Sequence, residues 1–362
     1  MLRPLLCCFA ALLTLPSIAA DRQQETDAAI ARGIDFLTRG AASDTGAYSP
    51  QTGTGVTSLC ITAVLQNRPA MATSPSIVKS LKFLEQHFQD TGGIYVNDSL
   101  YRNYETSLAM QALALANSDH RFDQRLKRAE AFLRGIQWDE GEGIESSDPG
   151  YGGAGYGKHA RPDLSNTQFF LDALRSVGVG EEDPAIQKAL KFVSRCQNLE
   201  SEYNDTPHAA KVGDGGFYYT SAAGGQSQAG QTPDGGLRSY GSMTYAGLKS
   251  MIYAGVSKDD QRVKAAMDFI RKTYSLQQNP GMGNAGLFYY YHTFAKALDA
   301  TQLKTIEDAS GQKHDWRQEL SETLLSLQAE DGAWVNRENE RWLEGDRNLV
   351  TAYALMALSY CK

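Results

Sequence analysis

The sequence predicts an all-α protein built as an (α/α)6 toroid, two concentric rings made from six helix pairs. Three observations carry that expectation. Apolar segments headed by a threonine recur six times, at Gly55-Val56-Thr57, Tyr104-Glu105-Thr106, Ser165-Asn166-Thr167, Ser242-Met243-Thr244, Tyr291-His292-Thr293 and Leu349-Val350-Thr351. Six residues after the threonine comes a small residue and then an apolar one, as in Ala112-Leu113 and Ala357-Leu358. The copy after Thr293 departs, with Asp299-Ala300. Finally, each segment is preceded by an amphipathic stretch and a glycine/aromatic turn.

Met1 to Ala20 reads as a signal peptide: Arg3, the apolar run Leu5 to Leu15, then Ser17, Ala19 and Ala20 before Asp21. The run is too short to span a bilayer, and no later segment qualifies. Export to the periplasm or the extracellular space is expected, with cleavage near Ala19 or Ala20. Cys7 and Cys8 would leave with that segment. Cys60, Cys196 and Cys361 are too few and too scattered for a disulfide framework, and their helical settings predict buried thiols.

Residues 21–362 then form a single toroid domain, because the repeats run almost end to end without a Pro/Ser linker. The repeats fall near 29–67, 76–117, 126–178, 185–256, 262–300 and 315–361. Each opens on an amphipathic helix: Ile30 to Leu37, Ile77 to Phe88, Leu126 to Ile136, Ile186 to Cys196, Val263 to Tyr274 and Trp316 to Leu327. Ala129, Phe132, Leu133 and Ile136 show the helical spacing of the apolar face. A turn follows, as at Gly92-Gly93-Ile94-Tyr95, Asp214-Gly215-Gly216-Phe217 and Asp331-Gly332-Ala333-Trp334. Glycine permits the left-handed backbone, and the ring fills the gap between helix ends. The threonine-headed helix is poor in charge and rich in Ala, Leu and Met, so it must be buried nearly all round. The longest loop runs from Asn198 to Tyr240, and both a flap over one end of the ring and a solvated insertion fit its glycine-rich composition.

A net charge of −7 without a basic tract gives no electrostatic case for nucleic acid or an anionic membrane surface.

Gln328-Ala329-Glu330-Asp331-Gly332-Ala333-Trp334 resembles the Gln…Gly…Trp repeat of squalene and oxidosqualene cyclases, whose toroid relatives include the protein prenyltransferase β subunits. The resemblance spans Ala29 to Cys361 as repeats and implies the toroid fold. In hopene-type cyclases an Asp-x-Asp-Asp element precedes one inner-helix threonine, and its middle Asp protonates the substrate alkene. The matching residues here are Asp163-Leu164-Ser165-Asn166, with Ser165 in place of that acid. An alkene is a very weak base, and neither a serine hydroxyl nor an amide supplies such a proton. Tyr291-His292-Thr293 is similar to the histidine element of the prenyltransferase zinc site, but Ser242 and Thr244 stand where its Asp and Cys belong. One His and two hydroxyls make a poor zinc site, so no metal and no cofactor are expected.

Both relatives place their chemistry just before these threonines. The corresponding set is Val56, Glu105, Asn166, Met243, His292 and Val350, with Cys60, Ala109, Phe170, Gly247, Lys296 and Ala354 one turn deeper. Asp163, Glu105 and His292 are therefore the candidate catalytic residues. Asn166, Ser165, Phe170, Tyr245, Lys296, Tyr291 and Tyr353 are the candidate ligand-binding residues. Helix capping is the alternative role for Glu105, Asp163 and His292, and a core position is the alternative for the aromatics. Three functions remain open. The first is a cyclase-like exported toroid that binds or transforms an isoprenoid or other apolar molecule, without hopene-type protonation. The second is a non-catalytic scaffold. The third is a carbohydrate-active toroid, a polysaccharide lyase or hydrolase, drawing its carboxylates from Glu105, Asp163, Glu344 and Asp346.

Overall fold

The computed structural model describes residues 18–40, 45–157 and 160–362. Residues 1–17, with most of the signal segment and with Cys7 and Cys8, lie outside the described residues. Thirteen α-helices follow in order: α1 (Ile18–Gly40), α2 (Gly55–Asn67), α3 (Pro75–Gln86), α4 (Arg102–Leu115), α5 (Asp123–Arg134), α6 (Leu164–Ser176), α7 (Pro184–Arg195), the single turn α8 (Ala209–Val212), α9 (Gly241–Tyr253), α10 (Gln261–Thr273), α11 (Leu287–Thr301), α12 (Trp316–Leu327) and α13 (Arg347–Leu358). The named strands among the described residues are a two-residue pair, β1 (Ile306–Glu307) and β2 (Lys313–His314).

Packing order makes this a ring. The threonine-headed helices touch in sequence, α2 to α4, α6, α9, α11 and α13, and α13 packs back on α2. Outside them, α5 lies on α4 and α6, α7 on α6 and α9, and α12 on α11, α13 and α1. Burial follows the same division. In α7 the residues Ile186, Ala189, Leu190 and Val193 are buried on one face, whereas α2 is buried from Gly55 through Leu65. The fold is the predicted (α/α)6 toroid.

The recurring threonine has a specific task. Its Oγ1 accepts the backbone N–H of the aromatic turn in five repeats: Tyr48 N to Thr57 (2.9 Å), and Ile94 to Thr106, Ala154 to Thr167, Phe217 to Thr244 and Trp334 to Thr351 (3.0 Å each). A buried amide that the turn leaves without a ladder partner is thereby satisfied. Thr293 instead donates to the carbonyls of Tyr289 and Tyr290 within its own helix. The turn glycine shows the same five-to-one division. Gly152 has φ 85°, and a Cβ there would sit 1.8 Å from the Lys188 carbonyl oxygen on α7. Gly46, Gly92, Gly215 and Gly332 also press on the next outer helix, where a Cβ would sit 2.4–2.6 Å from backbone atoms. Gln328 closes the ring, its Nε2 donating to the carbonyls of Gly332 and of Ala29 on α1 (2.9 Å each).

Cys60 and Cys196 are buried free thiols and Cys361 is half-buried. Of these three, only Cys60 lies inside a helix, since Cys196 caps the end of α7 and Cys361 follows α13. The long loop lies against the N-terminus of α6: Leu164 N donates to the Tyr219 carbonyl (2.8 Å), and Thr220 Oγ1 donates to the Pro162 carbonyl (2.7 Å). No described helix is long and apolar enough to cross a membrane.

Candidate functional site

The N-terminal ends of all six inner helices surround a cavity of about 750 Å³. Its wall is aromatic, with seven tyrosines, Phe169 and Trp342. The acids Glu105, Glu344 and the exposed Asp98 also line it, and none of the described lining residues is Lys, Arg or His. The long loop supplies Tyr219, Gln228 and Tyr240 to this wall.

The cavity is closed below by rings that meet across the axis. Tyr104 of α4 packs on Phe169 of α6 (5.4 Å between centroids), Phe169 on Tyr289 of α11 (6.2 Å), and Tyr289 on Tyr353 of α13 (5.8 Å). The mouth differs. Of seven exposed large hydrophobics among the described residues, four border the cavity: Leu100, Tyr101, Trp342 and Leu343. Their two loops also hold left-handed backbone at Asp98 (φ 62°), Trp342 (φ 58°) and Leu343 (φ 65°). Such strain in non-glycine residues concentrates at working sites.

Glu105 is buried and occupied. It accepts Thr54 N (2.8 Å), Thr54 Oγ1 (3.0 Å) and Val96 N (3.2 Å), and the Ser99 hydroxyl also donates to it. It thus caps α2 while showing an edge to the cavity. Glu344 does the same for α11, accepting Tyr289 N (2.8 Å) and Asn336 Nδ2 (2.7 Å). Burial raises its pKa to about 7 against the pull of these donors. Asp163 is the N-cap of α6. Its two oxygens take Asn166 N and Asn166 Nδ2 (2.8 Å each), and burial raises its pKa to about 6.

Of the ten predicted site residues, Glu105, Ser165 and Tyr353 line the cavity and the other seven do not. Asp163 and Asn166 sit one layer behind it, bonded to each other. His292 is buried with its ring stacked on Tyr353 (5.7 Å), and burial with the nearby Lys296 and Lys249 charges lowers its pKa to about 3. Phe170 is fully buried, Tyr245 packs against Phe294 (4.9 Å), and Tyr291 gives its hydroxyl to the Leu276 carbonyl (2.7 Å). Lys296 pairs with Asp172 (2.8 Å). The cause is helix rotation. The residue before the threonine reaches the cavity as expected on α2, α4 and α9, as Val56, Glu105 and Met243, whereas α6 presents Ser165 and Phe169, and α13 presents Leu349 and Tyr353, one position earlier. One residue turns a helix by about 100°, enough to carry Asn166 and Phe170 into the packing between helices, and α11 presents Tyr289, three positions before His292.

A polar cluster lies beneath the aromatic floor. Asp172 of α6 takes Lys249 Nζ of α9 (2.7 Å) and Lys296 Nζ of α11 (2.8 Å) on its Oδ2, with all three side chains at most 9% exposed. Burial works against every charge here. It brings the Lys249 pKa down to about 7, whereas the Asp172 carboxylate outweighs it at Lys296, which stays charged. Sequence reasoning missed Asp172 and Lys249, although they are rare charges on otherwise charge-poor inner helices. Of the remaining candidates, Asp346 caps α13 through Asn348 N and Leu349 N.

No family model matches the chain, and no curated protein matches it. Solved structures do. A type II terpene cyclase from Scytonema (apo form) aligns over 93% of this chain and 97% of its own, at 14% identity and a TM-score of 0.54. A point variant of the same cyclase, also in the apo form, gives 94%, 97%, 13% and 0.55. A glycosyl hydrolase of family 88 from Bacteroides vulgatus aligns over 92% and 98%, at 10% identity and a TM-score of 0.56. At such identities the likeness is one of fold, and it places the chain among α/α-toroid proteins.

Proposed function

We propose that this toroid holds an apolar small molecule of the isoprenoid class in its cavity, outside the cytoplasm. The observation that carries the reading is the combination of an aromatic wall with an apolar rim. Rings and aliphatic side chains surround a volume within the roughly 300–1,000 Å³ typical of small-molecule sites. Leu100, Tyr101, Trp342 and Leu343 give a greasy ligand an apolar approach from the surface. The apolar run Leu5 to Leu15 supports export. Protonation of an alkene at the Asp163 to Asn166 segment is not part of the proposal, since Ser165 stands where the acid is needed and its hydroxyl is engaged with Tyr289. Ser165, Glu105 and Tyr353 are the ligand-facing members of the predicted set. Asp163 and Asn166 support α6 behind them.

Geranylgeraniol is the test probe, added to the mature protein while intrinsic fluorescence is followed. Saturable quenching, lost when Trp342 and Phe169 are both replaced by Ala, supports the proposal. Absence of saturable binding, with no isoprenoid retained by protein purified from its native host in native mass spectra, rejects it. Retention of the probe unchanged over prolonged incubation would identify the toroid as a carrier or scaffold rather than an enzyme.

A carbohydrate-active reading has its own support in Glu344, a buried acid with a raised pKa on the cavity wall, and in Trp342 exposed at the mouth as a stacking surface for a sugar. It requires release of new reducing or unsaturated ends from an oligosaccharide panel, abolished by Glu344→Gln.

A further inference from the structure

A polar line crosses the ring within the aromatic floor. From α6 to α11, Ser165 Oγ and Tyr289 Oη lie 2.9 Å apart, and Gln168 Nε2 donates to Tyr289 Oη at 2.9 Å. Behind Gln168, its Oε1 takes a hydrogen bond from Lys249 Nζ, which also donates to Asp172 at 2.7 Å, and Lys296 donates to the same Asp172 oxygen at 2.8 Å.

The direction of this line is fixed from its buried end. Lys249 faces two acceptors and offers hydrogens to both, so the carbonyl of Gln168 must turn towards it and the amide NH₂ towards Tyr289. Tyr289 therefore accepts from Gln168. The two hydroxyls of Tyr289 and Ser165 hold two hydrogens, and one of them is used between the pair. The other has no described protein partner, and both residues line the cavity. A hydroxyl donor is thus left aimed at whatever occupies the cavity. An unmet donor at an apolar wall is costly, and a ligand that accepts from it gains accordingly.

From this we infer that the Ser165–Tyr289 pair anchors a neutral acceptor oxygen on an otherwise apolar ligand, such as an alcohol, ketone, ether or epoxide, with Gln168 and Lys249 as the positioning residues that set the donor's direction. Neutrality follows from the wall, whose described residues include carboxylates and no cation to balance an oxyanion. The inference rests on the reading that the cavity takes an apolar molecule, and narrows that reading to oxygenated members.

The experiment compares three probes of equal chain length at pH 7.5: geranylgeraniol, the corresponding hydrocarbon without oxygen, and geranylgeranoic acid. Wild type should prefer the alcohol to the hydrocarbon by about five- to tenfold, the scale of one hydrogen bond, and should bind the acid more weakly than the alcohol. Two variants test the line itself. Ser165→Ala with Tyr289→Phe removes both hydroxyls and keeps the ring. Gln168→Glu is nearly isosteric and keeps the Lys249 contact, but its carboxylate accepts from Tyr289. The Ser165 hydrogen then turns to Tyr289, and the wall is left with acceptors only. Both variants should bring the alcohol-to-hydrocarbon ratio close to one while leaving hydrocarbon affinity and melting temperature near those of wild type. A ratio unchanged in both variants overturns the inference, as does a wild type that binds hydrocarbon and alcohol equally. A wild type that binds none of the three probes removes the apolar-ligand reading, and the inference falls with it.

Discussion

Replacing each recurring threonine by valine tests the physical basis of the repeat. Valine matches threonine in shape, so packing is kept and the loss is confined to the oxygen. At Thr57, Thr106, Thr167, Thr244 and Thr351 that oxygen is the acceptor for a turn N–H at 2.9–3.0 Å. All five threonines are buried, so no water replaces it. An amide stranded in this way costs about 1–3 kcal/mol. Thr293 is equally buried but only donates, to the carbonyls of Tyr289 and Tyr290. Thr293→Val therefore leaves no orphaned N–H and should cost less than about 0.5 kcal/mol. Urea unfolding followed by circular dichroism at 222 nm gives each difference, provided the slope with denaturant stays constant across the series. Equal losses at all six positions would refute the assignment of the threonine as a turn pin, as would losses under about 0.5 kcal/mol at the five.

Other perturbations probe the seam, the buried charges and the acids. Trp334 is fully buried at the ring closure, against Gly33 and with its Nε1 donating to the Leu324 carbonyl, so Trp334→Ala should cost about 3–5 kcal/mol; a loss under about 1 kcal/mol in urea unfolding would mean the site collapses around the gap. Asp172→Asn leaves two lysines without their counter-charge and should destabilise by about 3–5 kcal/mol. Lys249→Met should cost less, because Asp172 keeps Lys296, and the reverse order in thermal unfolding would contradict the pairing. The folded-state pKa values of Asp163 (about 6) and Glu344 (about 7) lie above the ordinary carboxylate range, so the folded state holds protons that the unfolded chain has released. The contribution of these two acids should accordingly fall as pH rises from near 4 through about 7, opposed below about 6.5 by His292 and above about 7 by Lys249, whose lowered pKa values make the folded state hold fewer protons than the unfolded chain. A pH dependence of melting temperature between about pH 4.5 and pH 7 that is unchanged in Asp163→Asn with Glu344→Gln would show these acids ionised throughout.

The ring was legible in the sequence because each of its determinants is local. Apolar spacing along α7 and the threonine before each buried helix act within one repeat, and the turn glycine, which presses on the next repeat, still announces itself in a short local pattern. The departure at Asp299-Ala300 was legible too, and it marks the repeat whose threonine does not pin a turn. The site was legible only in part. Glu105 stands where the pattern points, whereas Ser165 was found through its match to the Asp-x-Asp-Asp element and Tyr353 as an aromatic of an inner helix. Tyr104 and Tyr289 depend on helix rotation, which is set by packing between repeats and has no local signature. Trp342 and Tyr219 come from loops of no repeating form. Glu344 was visible only as one carboxylate among several for the carbohydrate reading. Its place as the cap of α11, matching Glu105 on α2, needs the fold.

That match explains how the ring tolerates a polar cavity end. Six inner helices point their N-termini at one space, and each N-terminus brings unsatisfied N–H groups and a partial positive charge. Two of the six are capped by a carboxylate from elsewhere in the chain, Glu105 on α2 and Glu344 on α11. Two more use their own aspartates, Asp163 on α6 and Asp346 on α13. At α9 the carboxylate is absent, and the Asn279 amide oxygen takes Ser242 N at 3.0 Å. The acids around the cavity thus answer a requirement of the fold before any requirement of a ligand. A buried carboxyl here is therefore weak grounds for assigning catalysis. The Ser165–Tyr289 pair is different in kind, since no helix end needs it and both residues line the cavity.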